Sequence, residues 1–352
     1  MKYKLPILTI AVLLAAGWAG WRARHSENRV DDELAAVQEV AILGQVAPTQ
    51  GPDAASDGAS SATAASDYGA GRATAVLHES IQMIETCPSL HCRVRHRGRL
   101  YGEELKGSGE YVQGPSRLHQ FRLDLSLRAG DLAARLVQVC DGRSMWTYRL
   151  IDDAPALSHV DLRRVQDLTK PSDGQATWYP WRDMSGIGGM PHLLRGLDET
   201  FQFVRVSPGT LDGSPVWILR GAWRPEPLKR LLGGQAATID DGGEIDWSEL
   251  SPHAPDHVVV VTGRDDRLPY RIEYRRSEGI AGTIAAPCAT ADDDTEMLLV
   301  MEFFRVRLGE EVAPGTFDYD PGNLPPSDHT ERYITALRDS APRRSSVGPA
   351  LR

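Results

Sequence analysis

The sequence has few aromatic residues, few cysteines and no excess of positive charge. Phe, Trp and Tyr make up 7% of the 352 residues, and 39 Lys and Arg stand against 48 Asp and Glu, for a net charge of −9. Such a chain lacks the basic balance of proteins that bind nucleic acid through phosphate contacts. Four cysteines are too few for a small disulfide scaffold. With 41% hydrophobic residues, the composition indicates a globular protein with a core.

Long hydrophobic runs are scarce too, and one occurs at the N-terminus. Residues 5–21 form 17 uncharged positions after a short basic head, or about 25 Å of helix, at the short end of what spans a bilayer. An uncleaved anchor and a cleaved signal peptide both fit this pattern. Trp18 and Trp21, followed by Arg22 and Arg24, favour the anchor. We therefore expect a single-pass inner-membrane protein with its folded domain in the periplasm.

The rest of the chain divides into three parts. Residues 26–73 contain a short helix and then a linker rich in Gly, Ala and Ser, which buries too little apolar area to order itself. Residues 74–340 form the predicted folded domain, and residues 341–352 a disordered tail. The spacing of apolar residues predicts a first helix over residues 74–86.

The folded domain reads as a succession of antiparallel strands. Over residues 118–128, Phe121, Leu123 and Leu125 alternate with polar residues, which predicts a strand with one apolar and one wet face. The Asp141-Gly142 pair predicts a hairpin turn. The fold class is therefore α+β, mainly antiparallel β, with a curved sheet and helices on its concave side. Residues 233–251 are predicted to be an acidic, solvated loop.

Five short motifs resemble the LolA-like outer-membrane lipoprotein-carrier superfamily. They are GSGEY at 107–111, DGRSMW at 141–146, LPYRI at 268–272, MEFF at 301–304 and FDYDP at 317–321. The resemblance implies a half-barrel and, as a partner, a lipid or acylated lipoprotein. The N-terminal anchor, the long linker and residues 233–251 depart from a soluble carrier, so the chain is expected to be a divergent, membrane-anchored relative.

A curved sheet that its own side chains do not fill leaves an apolar hollow that suits acyl chains. The candidate wall residues lie on predicted apolar faces; the alternative is that they fill a packed core. They are Phe121, Leu123, Leu125, Trp146, Leu150, Trp217, Leu219, Trp223, Tyr270, Ile272, Met301 and Phe303. Glycines at 186, 188 and 189 predict a hinge that lets a helix over residues 191–201 act as a lid.

Motifs for catalysis and metal binding are weak. Cys87, His91 and Cys92 lack a second ligand pair at zinc spacing. The acidic residues 240–246 lack the order of an EF-hand loop, and no Gly-x-Ser-x-Gly elbow or His-Glu-x-x-His motif occurs. The sequence thus predicts no metal, no cofactor and no enzymatic activity.

The four cysteines, Cys87, Cys92, Cys140 and Cys288, form an even number in a chain expected to be exported. Three pairings are possible, among them Cys87–Cys92 with Cys140–Cys288. The alternative is four unpaired, buried thiols, and the sequence leaves both open.

Four arginines alternate along the first predicted strand, at positions 93, 95, 97 and 99. Their shared parity places them on one face. They are interpreted either as guards of an exposed sheet edge or as a cationic strip that meets anionic headgroups or an acidic partner.

Three function classes follow. The first is a membrane-tethered periplasmic protein, anchored through residues 5–21, that binds a lipid or lipidated peptide in the half-barrel. The second is an envelope sensor or partner-binding module of the same fold. The third, more distant, is a secreted hydrolase.

Overall fold

The computed structural model describes residues 69–340 except 101–102, 170–188, 278, 280 and 290–293. The predicted anchor at residues 5–21, most of the linker and the C-terminal tail lie outside the described residues. No helix in the described part of the chain is both long enough and apolar enough to cross a membrane.

Most of the strands belong to one twelve-stranded sheet. The strands, including a separate short pair (β9 and β12), are β1 Leu90–Leu100, β2 Glu103–Gln113, β3 Gln120–Ala129, β4 Leu132–Asp141, β5 Ser144–Ile151, β6 Ala154–Asp161, β7 Phe201–Leu211, β8 Ser214–Trp223, β9 Ile245–Asp246, β10 His257–Gly263, β11 Pro269–Ser277, β12 Ala281–Gly282, β13 Thr295–Leu308 and β14 Ser327–Asp328.

The sheet is open and almost entirely antiparallel. Its order is β14-β6-β5-β4-β3-β2-β1-β13-β11-β10-β8-β7, and its one parallel pair joins β14 to β6. The predicted fold class, a large, curved, mainly antiparallel sheet with a few helices, is confirmed at this level. The sheet does not close into a barrel within the described residues.

Six helices accompany the sheet in the described part of the chain. They are α1 Ala70–Thr86, α2 Leu162–Thr169, α3 Gly189–Thr200, α4 Pro225–Leu231, α5 Ala236–Asp240 and α6 Thr330–Ser340. Helix α1 packs on β7, β8 and α3, while α2 and α6 pack together near β5 and β6. Helix α1 begins at Ala70, four residues before the predicted start, because Ala73 belongs to its buried stripe with Val76 and Leu77. Residues 70–73 therefore belong to the folded domain and not to the linker.

The two faces of the sheet differ as the alternation predicted. On β3, Phe121, Leu123 and Leu125 are buried towards the helices, while Arg122 and Asp124 point to the other side. We call the first side, which α1 and α3 cover, the inner face, and the second the outer face. The inner face forms one continuous hydrophobic core with the helices.

Residues 233–251 correct a prediction. They form a folded cap rather than a solvated loop: α5, β9 and two short 3-10 turns bury Ile239, Ile245, Trp247 and Leu250. Asp246 caps one of these turns through Ser248. Four apolar side chains spaced among the acids were enough to fold the segment, since each contributes roughly 1.5–3 kcal/mol when buried.

Strand β6 is absent from the sequence-level prediction. It follows a turn in which Asp152 and Asp153 both take left-handed backbone angles, with φ of 43° and 64°. Glycine usually fills such a turn; because neither position here is a glycine, the turn signal was missing and no strand was predicted over these residues.

Candidate functional site

The inner face carries most of the predicted wall residues. Eight of them have 0–4% of their surface exposed and belong to the main core. These eight are Phe121, Leu123, Leu125, Leu219, Trp223, Ile272, Met301 and Phe303. Trp217 and Tyr270 are partly buried and pack against the same core.

The hollow predicted on the inner face is not present at these eight residues. A side chain with 0% exposure, such as Leu125, Leu219 or Ile272, borders no space that a water molecule can enter. Trp223 has the contacts of a core residue, because its Nε1 donates to Pro255 O at 2.9 Å and its ring packs on Phe201 at 4.7 Å. In this closed state the wall residues fill the interior, and their role as a ligand site stays a prediction.

Trp146 and Leu150 lie on the opposite face, which corrects their assignment to the hollow. Strand register places Met145 opposite Cys140 on the inner face, so Trp146 points outward opposite Val139. There Trp146 stacks on Tyr319, with ring centroids 5.6 Å apart, and contacts the tilted ring of His159 at 4.4 Å. The chain after β13 crosses this part of the outer face and covers it. The sequence around Trp146 does not predict this contact, because Tyr319 is distant in the chain.

Helix α3 is held over the inner face by a tyrosine at its first turn. The Met190 backbone N–H donates to the Tyr111 hydroxyl at 2.9 Å, and that hydroxyl donates to Gln113 Oε1 at 2.7 Å. Burial raises the pKa of Tyr111 above its ordinary value, so the hydroxyl stays protonated and serves in both bonds. Gly189 has φ +65°, and a Cβ there would lie 2.0 Å from the Tyr111 oxygen. A glycine is therefore required for this approach.

The exposed side of α3 is tied to its neighbours by charges. Arg195 Nε lies 2.7 Å from Glu85 Oε1 on α1, and a second nitrogen lies 2.6 Å from Oε2. Asp198 accepts from His78 Nε2 at 2.8 Å and pairs with Arg224. The predicted lid helix over residues 191–201 thus corresponds to α3, but Gly186 and Gly188 lie outside the described residues, and hinge motion stays a prediction.

All four cysteines are free and buried in the structure. Cys87 Sγ donates to Ile84 O at 3.2 Å, while Cys92 lies on the inner face in register with Tyr111. Cys140 faces the same core on β4, whereas Cys288 interacts electrostatically with Arg220 and packs near β8. Seven strand spacings, roughly 34 Å along the sheet, separate β4 from β8, and Cys140 and Cys288 are not paired in this structure. The alternative of four buried thiols describes this structure.

The four arginines of β1 share the outer face, as their parity predicted. Each lies near a carboxylate: Arg93 with Glu110, Arg95 and Arg97 with Glu302 at 3.7 and 3.9 Å, and Arg99 with Glu296 at 3.7 Å. Strand β1 lies between β2 and β13, so the edge-guard interpretation is wrong. The carboxylates also compensate most of the charge that a cationic strip would need.

No three His, Cys, Asp or Glu side chains converge as a metal site anywhere in the described ranges.

No family model matches this chain, and no curated protein matches it. Among solved structures, a putative outer membrane lipoprotein-sorting protein domain from Vibrio parahaemolyticus aligns at a TM-score of 0.30, with 8% identity over 71% of this chain and 97% of that one. Mycobacterium tuberculosis lipoprotein LppX aligns at a TM-score of 0.33, with 12% identity over 69% and 98%.

The Pseudomonas aeruginosa MucA/MucB complex gives a TM-score of 0.33 and 10% identity over 71% of this chain and 61% of that one. The class of lipoprotein-sorting proteins that the sequence motifs resembled is thus present among the similar solved structures. At these TM-scores the likenesses are distant, and they identify neither the family nor the ligand of this chain.

Proposed function

We propose that this protein is a non-enzymatic binding module, exported and tethered to the inner membrane by residues 5–21, that takes up the acyl chain of a lipid or lipidated peptide between the inner face and α3. The observation that carries the proposal is the attachment of α3. Its apolar side covers the core through Met190, Leu194 and Leu197, and its first turn is held by the Tyr111 hydroxyl.

Because the interior is closed, a ligand must displace this helix to enter. Displacement uncovers three large apolar side chains, which costs about 5–9 kcal/mol at roughly 1.5–3 kcal/mol each. Each buried methylene of a ligand returns about 0.8 kcal/mol, so about 6–11 methylenes offset the opening. The proposal therefore favours long acyl chains over short ones.

The test measures binding of a fluorescent C16 fatty acid to the full chain, in competition with unlabelled C8, C12 and C16 fatty acids. We expect C16 to compete and C8 to fail. Tyr111→Phe removes the hydroxyl that holds α3, at a cost of about 1 kcal/mol to the closed state, and we expect tighter C16 binding by about fivefold.

Tyr319→Phe is the matched control, because Tyr319 packs on Trp146 at the outer face, away from α3 and from the wall residues on the inner face. Native mass spectrometry of the full chain from an envelope fraction supplies a second readout. Absence of both co-purified lipid and C16 binding would contradict the proposal, and turnover of ester substrates would favour the hydrolase class.

A further inference from the structure

A pocket lies on the outer face, on the other side of the sheet from α3. It measures about 470 Å³ and lies where β13, β1, β2 and β3 run side by side. Its volume falls within the range of about 300–1,000 Å³ that is usual for sites that bind small ligands. Polar and charged side chains form most of its lining, in contrast to the apolar interior.

Arg305 enters this pocket from an irregular point of β13. His91 pairs with Arg307 and Arg93 with Phe304, so two residues of β13 stand opposite the single residue Cys92. Arg305 takes φ +51°, the left-handed region that disfavours residues other than glycine. Bulges of this kind redirect side chains next to functional sites.

The guanidinium of Arg305 has no hydrogen-bonding or ion-pair partner among the described residues, although it is exposed in a pocket that also holds two acids. Both acids are already paired. Glu110 pairs with Arg93, and Asp124 receives two bonds from Arg135, at 3.1 and 2.7 Å. The strained backbone thus presents an unpaired cation to the pocket.

The remaining lining supplies further unused groups. Ser108 and Ser126 stand opposite each other on β2 and β3, and neither hydroxyl has a hydrogen-bond partner in the described structure. The ring of Phe304 is flanked by the Arg95 guanidinium, whose Cζ lies 4.3 Å from the ring centroid. The three arginines exceed the two acids by one positive charge.

We propose that this pocket binds an acidic segment of a protein partner. One carboxylate pairs with Arg305, in the two-bond geometry that guanidinium and carboxylate favour. The serine hydroxyls donate to the same segment, and an apolar neighbour packs on Phe304. A single carboxylate matches the one surplus charge, whereas a phosphate dianion carries a second negative charge that the lining does not compensate. This inference concerns the outer face and is independent of acyl binding inside.

The test uses the full chain and a panel of acetylated, amidated pentapeptides that contain one Glu and one Phe at different spacings. Each peptide has a twin with Gln in place of Glu, and affinity is measured by calorimetry. We expect the best Glu peptide to bind at least about tenfold more tightly than its twin, as charge-assisted bonds do.

Arg305→Gly should abolish the preference for Glu, and Arg305→Lys should retain part of it. Arg307→Gln is the matched control: Arg307 lies two residues away, pairs with Glu310 outside the pocket, and should leave the preference unchanged. Equal binding of both twins, or a preference that survives Arg305→Gly, would overturn the proposal. Tighter binding of inorganic phosphate than of the best Glu peptide would overturn the carboxylate assignment.

Thermal melting separates binding from folding. Glycine accepts φ +51° without strain, so Arg305→Gly should melt at the same or a higher temperature than the parent chain. A lower melting temperature would show that the fold itself requires Arg305 and would count against a binding role.

Discussion

His96 is a buried polar residue of the interior that lacks hydrogen-bond partners in the described part of the chain. His96 is 0% exposed, and neither ring nitrogen has a hydrogen-bond partner within the described structure. Strand register places it between Met301 and Gly107. Burial holds the pKa of His96 well below its ordinary value, so the ring is neutral in the folded protein.

His96 should make the fold sensitive to mild acid. The unfolded chain binds a proton at this ring below pH of about 6.5, while the folded chain does not. The contribution of neutral His96 to the free energy of unfolding is therefore fully present above that pH. It falls as the pH drops, by at most about 1.4 kcal/mol per pH unit for one group. We expect His96→Gln to flatten the dependence of the melting temperature on pH between 5 and 7.5.

The matched control is Leu123→Val, a substitution in the same core that involves no titratable group. It should lower the melting temperature at every pH and leave the slope in place. His119 and His329 also have pKa values lowered by burial and contribute to the remaining slope. The same slope in the parent chain and in His96→Gln would refute the assignment to His96.

Among the individual strands, the alternation of apolar and polar residues predicted which side chains would be buried. Residues 118–128 predicted strand β3 because every second side chain is apolar. The Asp141-Gly142 pair predicted the turn of the β4–β5 hairpin. Residues 233–251 were predicted as a loop because their acids, glycines and serines leave the large apolar residues without a helical or strand period. Whether Trp247 and Leu250 are buried depends on their contacts with distant parts of the chain, and the spacing of apolar residues does not predict those contacts.

The folded cap at residues 233–251 gives a direct stability prediction. Trp247 is 4% exposed, so Trp247→Ala should lower the free energy of unfolding by about 3–5 kcal/mol, as buried Trp truncations do. Glu244→Ala, at an exposed position of the same segment, should change it by less than about 0.5 kcal/mol. Urea denaturation measures both. A small effect at Trp247 would restore the solvated-loop interpretation.

At the scale of the molecule, the two faces of the sheet separate the cysteines. Three lie near Tyr111 on the inner side, and Cys288 lies by Arg220. Burial raises the pKa of Cys92, Cys140 and Cys288 to about 12, so almost no reactive thiolate is present at neutral pH.

We therefore expect four free thiols in the full chain. A thiol reagent such as Ellman's should react slowly with the folded protein and count four thiols in guanidinium without reductant. Prior treatment with a phosphine reductant is the control and should leave the count unchanged. A count of two or zero before reduction would mean that disulfides form.

Side-chain periodicity was sufficient to predict the antiparallel class, the faces on which the side chains of β1 and β3 lie, and the amphipathic helix α1. These follow from side-chain period, which is a local property of the chain. Long-range packing was needed to place Trp146 on the outer face beneath the chain after β13, to fold residues 233–251 and to leave Arg305 without a partner among the described residues. Each of these depends on contacts between distant segments, and periodicity carries no information about which distant segment covers a given face.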